Sequence, residues 1–190
     1  MGKLMRYMIH CTDTAPWVKV NRATLYRWHL GPKKFKDGSV MYRGIKYPSM
    51  KDAPLEPLHE NFVGNGWSKF GYSKLIHRDG TVEVVVSNNG DNKIDYDEMT
   101  WGCSGMNEIT YHVALVGGKL QNNKSPKKHM KFFDLFTRSQ FLALQTDIKE
   151  FLAKHPHAKI CGHYQYSKKK CPNFDVKFLS SLFELDDYFL

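Results

Sequence analysis

The apolar positions fall into short alternating runs and longer helical stripes, separated by clear turn signals. Residues 4–10 (LMRYMIH) read as a first strand that ends at His10. Asn21 is a good helix N-cap, with Leu25 and Trp28 at helical spacing behind it and Gly31-Pro32 as the stop. The run VMYRGIKY predicts a hairpin turning at Arg43-Gly44. A clearer hairpin spans 71–86, where GYSKLIH and TVEVVVS flank Arg78-Asp79-Gly80. YHVALV (111–116) reads as a buried strand stopped by Gly117-Gly118. Thr137 and Gln140 form a capping box. It opens a helix with Phe141, Leu144, Ile148, Phe151 and Leu152 on one face, ended by His155-Pro156. AKICG (158–162) is a short strand running into His163. Residues 175–190 predict a closing helix with Phe178, Leu179, Leu182 and Phe183 inward.

This order is strand, helix, hairpin, strand, helix, strand, helix. It predicts an α/β fold: a single domain over 1–190, with a central mixed β-sheet and helices packed on its faces. In such sheets, sites collect at strand ends. The least regular stretch, 33–66, carries Lys33, Lys34 and Lys36, the first hairpin and three spaced prolines (Pro48, Pro54, Pro57). It reads as an insertion, either a solvated loop or a functional lid.

A length of 190 residues suits one domain with a real core. The net charge of +9 favours an anionic partner such as nucleic acid, an acidic membrane or a cell wall, without choosing among them. No groove-reading helix or RNP-like motif supports specific nucleic-acid binding. The start, MGKLMRYMIHCTDTAP, lacks the apolar core of a signal peptide, and no run approaches ~18 apolar residues. The expectation is a monomer made in the cytosol without membrane insertion, reaching any outside target by another route. The four cysteines, Cys11, Cys103, Cys161 and Cys171, then read as free thiols or metal ligands rather than a disulfide framework. Aromatics, 14% of the chain, fill cores and also line grooves that bind sugars and peptides.

Three residues stand out chemically. His10 ends the first strand, His163 follows the last strand, and Cys171 lies on the loop HYQYSKKKC. Catalytic zinc takes three such ligands and leaves a position open. Spacing alone leaves bland readings open. A histidine after a strand is commonly structural, Cys171 reads equally as a buried thiol, Tyr72 as a half-buried strand tyrosine, and Lys168-Lys169-Lys170 as a solvated loop.

The wider pattern resembles a known family, the zinc-dependent N-acetylmuramoyl-L-alanine amidases of the phage T7 lysozyme type, which share the peptidoglycan-recognition protein/amidase fold. IHCTDT (9–14) is similar to the family's first ligand strand, and NRATLYRWH (21–29) to the helix after it. GWSKFGYSKLIHRDGTVE (66–83) resembles its Gly-Trp, Gly-Tyr, Arg-Asp-Gly hairpin. ALVGG (114–118) resembles the end of its central strand, and GHYQYSKKKCPNFDV (162–176) its last motif. The resemblance runs in order over nearly the whole chain, leaving out 33–66 and the loop near 119–131.

It implies an enzyme that hydrolyses the amide bond between N-acetylmuramic acid and L-alanine of peptidoglycan, either as a phage or prophage endolysin acting on the cell wall after release or as a cytosolic amidase that recycles wall fragments. It implies one Zn2+ per chain on His10, His163 and Cys171, with Tyr72 and Lys169 as catalytic residues. Recognition proteins without activity typically replace the cysteine ligand, so Cys171 favours the enzyme over the alternative, a non-hydrolytic peptidoglycan-binding module. Three departures stand out. Ser73 sits where the family commonly has His, and Tyr111-His112 replaces a small Ile-Gly pair. The stretch 101–107 (WGCSGMN) lacks a His-Ala-Gly pattern. These departures bear on packing or substrate contacts more than on metal binding.

Overall fold

The structure, a computed structural model, describes residues 2–190. Two compact units emerge: the residues up to Lys19 together with Tyr72–Leu190, and Val20–Gly71.

The first unit is built on a five-stranded mixed sheet of order β6-β5-β7-β1-β8. The strands are β1 (Arg6–Cys11), β5 (Lys74–Ile76), β6 (Val82–Val84), β7 (Thr110–Leu115) and β8 (Lys159–Gly162). Strand β1 is an interior strand, parallel to both neighbours, with His10 level with Ala114 of β7 and Met8 level with Cys161 of β8. β5 runs parallel to β7, while β6 returns antiparallel through the turn at Arg78-Asp79-Gly80. Gly80 adopts φ 92°, the left-handed conformation such a turn requires.

Alternation along the strands divides the sheet chemically. Tyr7, Ile9, Val113, Leu115 and Ile160 join one apolar core with α2 (Phe132–Leu135), α3 (Arg138–Lys154) and α4 (Phe178–Phe183). The opposite face carries Met8, packed with Cys103 and Cys161, and also His10. The expected capping box is present: the Thr137 hydroxyl accepts from the Gln140 N–H at 3.1 Å, and the Gln140 carboxamide oxygen accepts from the Thr137 N–H. Gln140 does more than cap. It is fully buried, and its side-chain amide donates to the carbonyls of Ile76 and Val116, at 3.0 and 2.9 Å, tying the ends of β5 and β7 to α3.

The closing helix is shorter than the sequence pattern suggests. It covers only Phe178–Phe183 and stops where Glu184 turns left-handed at φ 57°. Leu179 and Phe183 are buried, but Phe178 and Leu182 are about half exposed. Successive residues on a helix are ~100° apart, so 179 and 183 share one stripe while 178 and 182 flank it. Four apolar residues in this spacing therefore cannot all face one sheet.

In the second unit, Asn21 caps a short α1 (Arg22–Leu25) by accepting from Thr24 N–H at 2.9 Å. The helix widens into a π turn over Tyr26–Leu30. Its last carbonyls are taken by the returning chain: Asn65 N–H donates to Trp28 O and Trp67 N–H to His29 O. Lys33-Lys34 is a short strand, β2, rather than loop. It pairs with β3 (Val40–Tyr42), which forms the expected hairpin with β4 (Ile45–Tyr47). Arg43 and Gly44 both have positive φ, as a tight two-residue turn requires. Among the described residues, no helix is long and apolar enough to cross a membrane.

Replacing Gln140 with Leu should cost stability, because it strands the Val116 carbonyl and takes one of two donors from the Ile76 carbonyl, which keeps the Val116 N–H at 2.9 Å. Each orphaned buried partner typically costs about 1–3 kcal/mol. Chemical denaturation should show the loss; a change within about 0.5 kcal/mol would contradict the tie.

Candidate metal centre

The carboxyl end of β1 delivers His10, and the residue just past β8 is His163. Both side chains are almost wholly buried. The loop after His163 folds back on itself. Tyr164 N–H donates to Cys171 O at 2.9 Å, and the Ser167 hydroxyl donates to His163 O at 3.2 Å. Beyond Cys171, Phe174 is fully buried against Phe132 and Phe136. Asn173 clamps the return by donating to Gly118 O (2.9 Å) and to the Asp13 carboxylate (3.1 Å). Gly118 sits at φ 106°, where a Cβ would lie 2.7 Å from the Cys11 sulfur, so a side chain there would collide with the strand end.

The loop thus brings Cys171 to His10 and His163. One donor atom from each of the three lies within 4.8 Å of the others. His10 Nδ1 is 3.7 Å from Cys171 Sγ. Tetrahedral zinc with bonds of about 2.0–2.3 Å spaces its donors roughly 3.3–3.8 Å apart, so this separation fits. The sulfur is also in the right chemical form. Burial opposes ionisation, but hydrogen bonds from Cys11, His10 and His163 outweigh it and hold the Cys171 thiol well below its usual value. The Cys11 backbone N–H contributes a further contact at 3.2 Å. A thiolate with two imidazoles is a set suited to zinc. Burial is the main influence lowering the His10 pKa, which keeps the ring neutral as a ligand must be.

Tyr72 precedes β5, and its ring centroid stands 5.2 Å from that of His10. Burial, reinforced by the nearby Cys171, Cys11 and Asp13 groups, raises its pKa well above the ordinary value, so its hydroxyl keeps its proton. Lys169 lies on the exposed part of the loop, and its charge acts on both His10 and Cys103. All four cysteines are free thiols.

The sequence pattern gave His112 no role at the site, yet it is the residue most closely joined to His10. It is fully buried on the same face, and its Nδ1 lies 2.9 Å from His10 Nε2. Burial first, then the neighbouring His10 and His163, drives its pKa well below the usual value, so the ring is neutral. One signal was available: a histidine inside the apolar run YHVALV must either point away from the core or carry a partner. The two departures at 73 and 112 are also neighbours in space, since Ser73 N–H donates to His112 O at 2.7 Å.

Comparison with known proteins bears on this geometry. The endolysin of Enterobacteria phage K11 is 32% identical over 126 residues, covering 66% of this chain and 74% of that protein. The chain belongs to the T7-type phage endolysin family. The endolysin of Escherichia phage T7 itself is 35% identical over 115 residues, which make up 59% of this chain and 64% of the T7 protein. The chain thus spans a little under two thirds of that relative's length. No protein-family model matches. Among solved structures, the N-acetylmuramoyl-L-alanine amidase LysC from Clostridium intestinale superposes with TM-score 0.52 at 14% identity, covering 96% of this chain and 87% of that one. Bumblebee peptidoglycan-recognition protein SA superposes with TM-score 0.56 at 16% identity, covering 100% and 86%. The chain's fold is therefore the expected amidase and recognition-protein fold, with a central mixed sheet.

The thiol environments predict selective chemistry in metal-free protein at pH 7. Cys171 is partly exposed and its thiol pKa is held well below the usual value, whereas Cys161 is buried with its pKa pushed up to about 12, and burial also raises Cys103. Iodoacetamide should label Cys171 first, as peptide mass spectrometry would show. Faster labelling of Cys103 or Cys161 would contradict this account.

Proposed function

We propose that the chain is a zinc-dependent N-acetylmuramoyl-L-alanine amidase, an endolysin that hydrolyses the amide bond between N-acetylmuramic acid and L-alanine of peptidoglycan. The observation that carries this reading is the triad of buried His10 and His163 with partly exposed Cys171, its donors within 4.8 Å of one another, in a chain of the endolysin family. One Zn2+ per chain would be held by these three residues. Lewis acidity is what such an ion supplies when bound, polarising a carbonyl and acidifying water.

The remaining work falls to the protein's own groups. Attack on an amide carbonyl builds negative charge on its oxygen, and fixed donors must meet it. Tyr72 is the candidate uncharged donor, supported by its nearness to His10 and by the environment that keeps its hydroxyl protonated. Lys169 is the candidate cationic donor, and it or Tyr72 passes a proton to the leaving amine. The thiolate of Cys171 lowers the positive charge of the site, which favours having Lys169 close by. The excess of basic residues, +9 overall, favours docking on an anionic wall, and Lys33, Lys34 and Lys36 in the proposed 33–66 insertion are part of it.

The alternative is a recognition module that holds muropeptide without cutting it, on the same fold. A turbidity assay on bacterial walls separates the two readings. Hydrolysis should vanish with a chelator and return with zinc, and the purified protein should carry one zinc per chain. Stoichiometric zinc in a His163→Ala, Cys171→Ala double variant would refute the ligand assignment.

Lys169→Ala and Tyr72→Phe should each retain the metal yet lose turnover by on the order of a hundred- to a thousand-fold, the usual effect of removing one oxyanion donor. Near-normal rates in both would take them out of the mechanism.

A further inference from the structure

We infer that His112 is a positioning residue that fixes the tautomer and ring orientation of His10 for metal capture. The inference rests on the zinc reading above. His10 turns Nδ1 toward Cys171 Sγ at 3.7 Å and Nε2 toward His112 Nδ1 at 2.9 Å. A ligating nitrogen must offer a lone pair, so a metal-binding His10 carries its proton on Nε2. That N–H can only donate, so His112 must accept on Nδ1 and keep its own proton on Nε2. The opposite arrangement, with His112 Nδ1–H donating, would force the His10 proton onto Nδ1 and close that atom to a metal. The contact is therefore directional, and metal binding selects one direction.

The packing around the pair supports a purpose-built orientation. His112 is fully buried on β7, on the same face as His10 of the adjacent β1 and one register step back, level with Met8. His112 Nε2 is itself buried and has no hydrogen-bond partner among the described protein groups. Burying an imidazole with one nitrogen unmatched is unfavourable. A residue serving packing alone would be better met there by an apolar side chain. The unmatched atom is the one that must hold the proton when Nδ1 accepts.

Partners that hold the second nitrogen of a metal-bound histidine are commonly carboxylates or carbonyls, and losing one typically costs 10- to 100-fold in metal affinity. Here the partner is a neutral imidazole, which orients His10 without adding negative charge beside the Cys171 thiolate.

The test is zinc affinity by competition with a chromophoric chelator, in wild type, His112→Leu and His112→Asn. Leu keeps bulk without an acceptor, whereas the Asn Oδ1 can stand where Nδ1 stands. His112→Leu should lose about 10- to 100-fold in affinity, and His112→Asn should keep most of it. Equal affinity in His112→Leu and wild type overturns the inference while leaving the zinc site intact. So does an Asn variant as weak as the Leu variant. If wild type binds no zinc, the metal reading fails and this inference fails with it. Should circular dichroism show that either variant is unfolded, the wild-type protein decides by long-range proton–nitrogen NMR after zinc loading. His10 protonated at Nε2 with His112 Nδ1 bare supports the assignment, and a proton on His112 Nδ1 overturns it.

Discussion

A buried imidazole has two nitrogens to satisfy, and the site takes its form from that requirement at His10. The residue lies in an interior strand of the sheet, almost wholly out of solvent. Water cannot serve it freely, so each nitrogen needs a partner supplied by the fold. One is matched from the side, by His112 on the adjacent parallel strand. The other points to the corner where Cys171 and His163 converge. Parallel pairing makes this possible, because it sets the carboxyl ends of β1 and β8 side by side and brings His163 in just past Gly162. An antiparallel neighbour would have put a strand start there instead.

The third donor comes from a loop, and loops hold position only when their backbone is tied. Here the ties are specific. Asn173 bridges Gly118 and Asp13, Tyr164 binds Cys171 O, and Phe174 plugs the core between Phe132 and Phe136. Gly117 and Gly118 turn the chain just beyond β7, close against Thr12 and Cys11. The sulfur is then fixed against the β1 end by the Cys11 N–H. The same contacts that place the sulfur also lower its pKa, so the position and the thiolate character of Cys171 share their causes. Tyr72 is held protonated chiefly by its own burial, and the nearby Cys171 adds to the effect.

Local signals were the legible ones. The Thr137–Gln140 box, the Asn21 cap and the Arg43-Gly44 and Asp79-Gly80 turns each depend on a few adjacent residues, and each appears as expected. The apolar face of α3 was legible for the same reason. What required the three-dimensional register stayed hidden. Which residues of the 175–190 stretch face inward depends on where α4 docks, and its six residues offer two overlapping apolar stripes. The second bond made by Gln140, to strands far away in sequence, could not be read from a capping pattern. At the site, the three candidate ligands were picked out by an ordered resemblance, and the fold brings them together. His112 escaped because its meaning depends on which strand lies beside it, and only the β1–β7 pairing turns an odd histidine in an apolar run into a partner of His10.

The fold by itself does not separate cutting from holding, since both an amidase and a recognition protein superpose on it. Function resides in side chains grafted on the scaffold. The balance of charge at the strand ends is then decisive. As ligands, two imidazoles and one thiolate would offset half of a divalent cation's charge and would leave the centre strongly electrophilic. Were the partner of His10 a carboxylate, the centre would approach neutrality, and its pull on a carbonyl oxygen would weaken. A neutral His112 would hold His10 in place and leave that residual charge intact. The neutral partner thus preserves the part of the site's electrostatics that bond cleavage needs and that mere binding of a muropeptide does not.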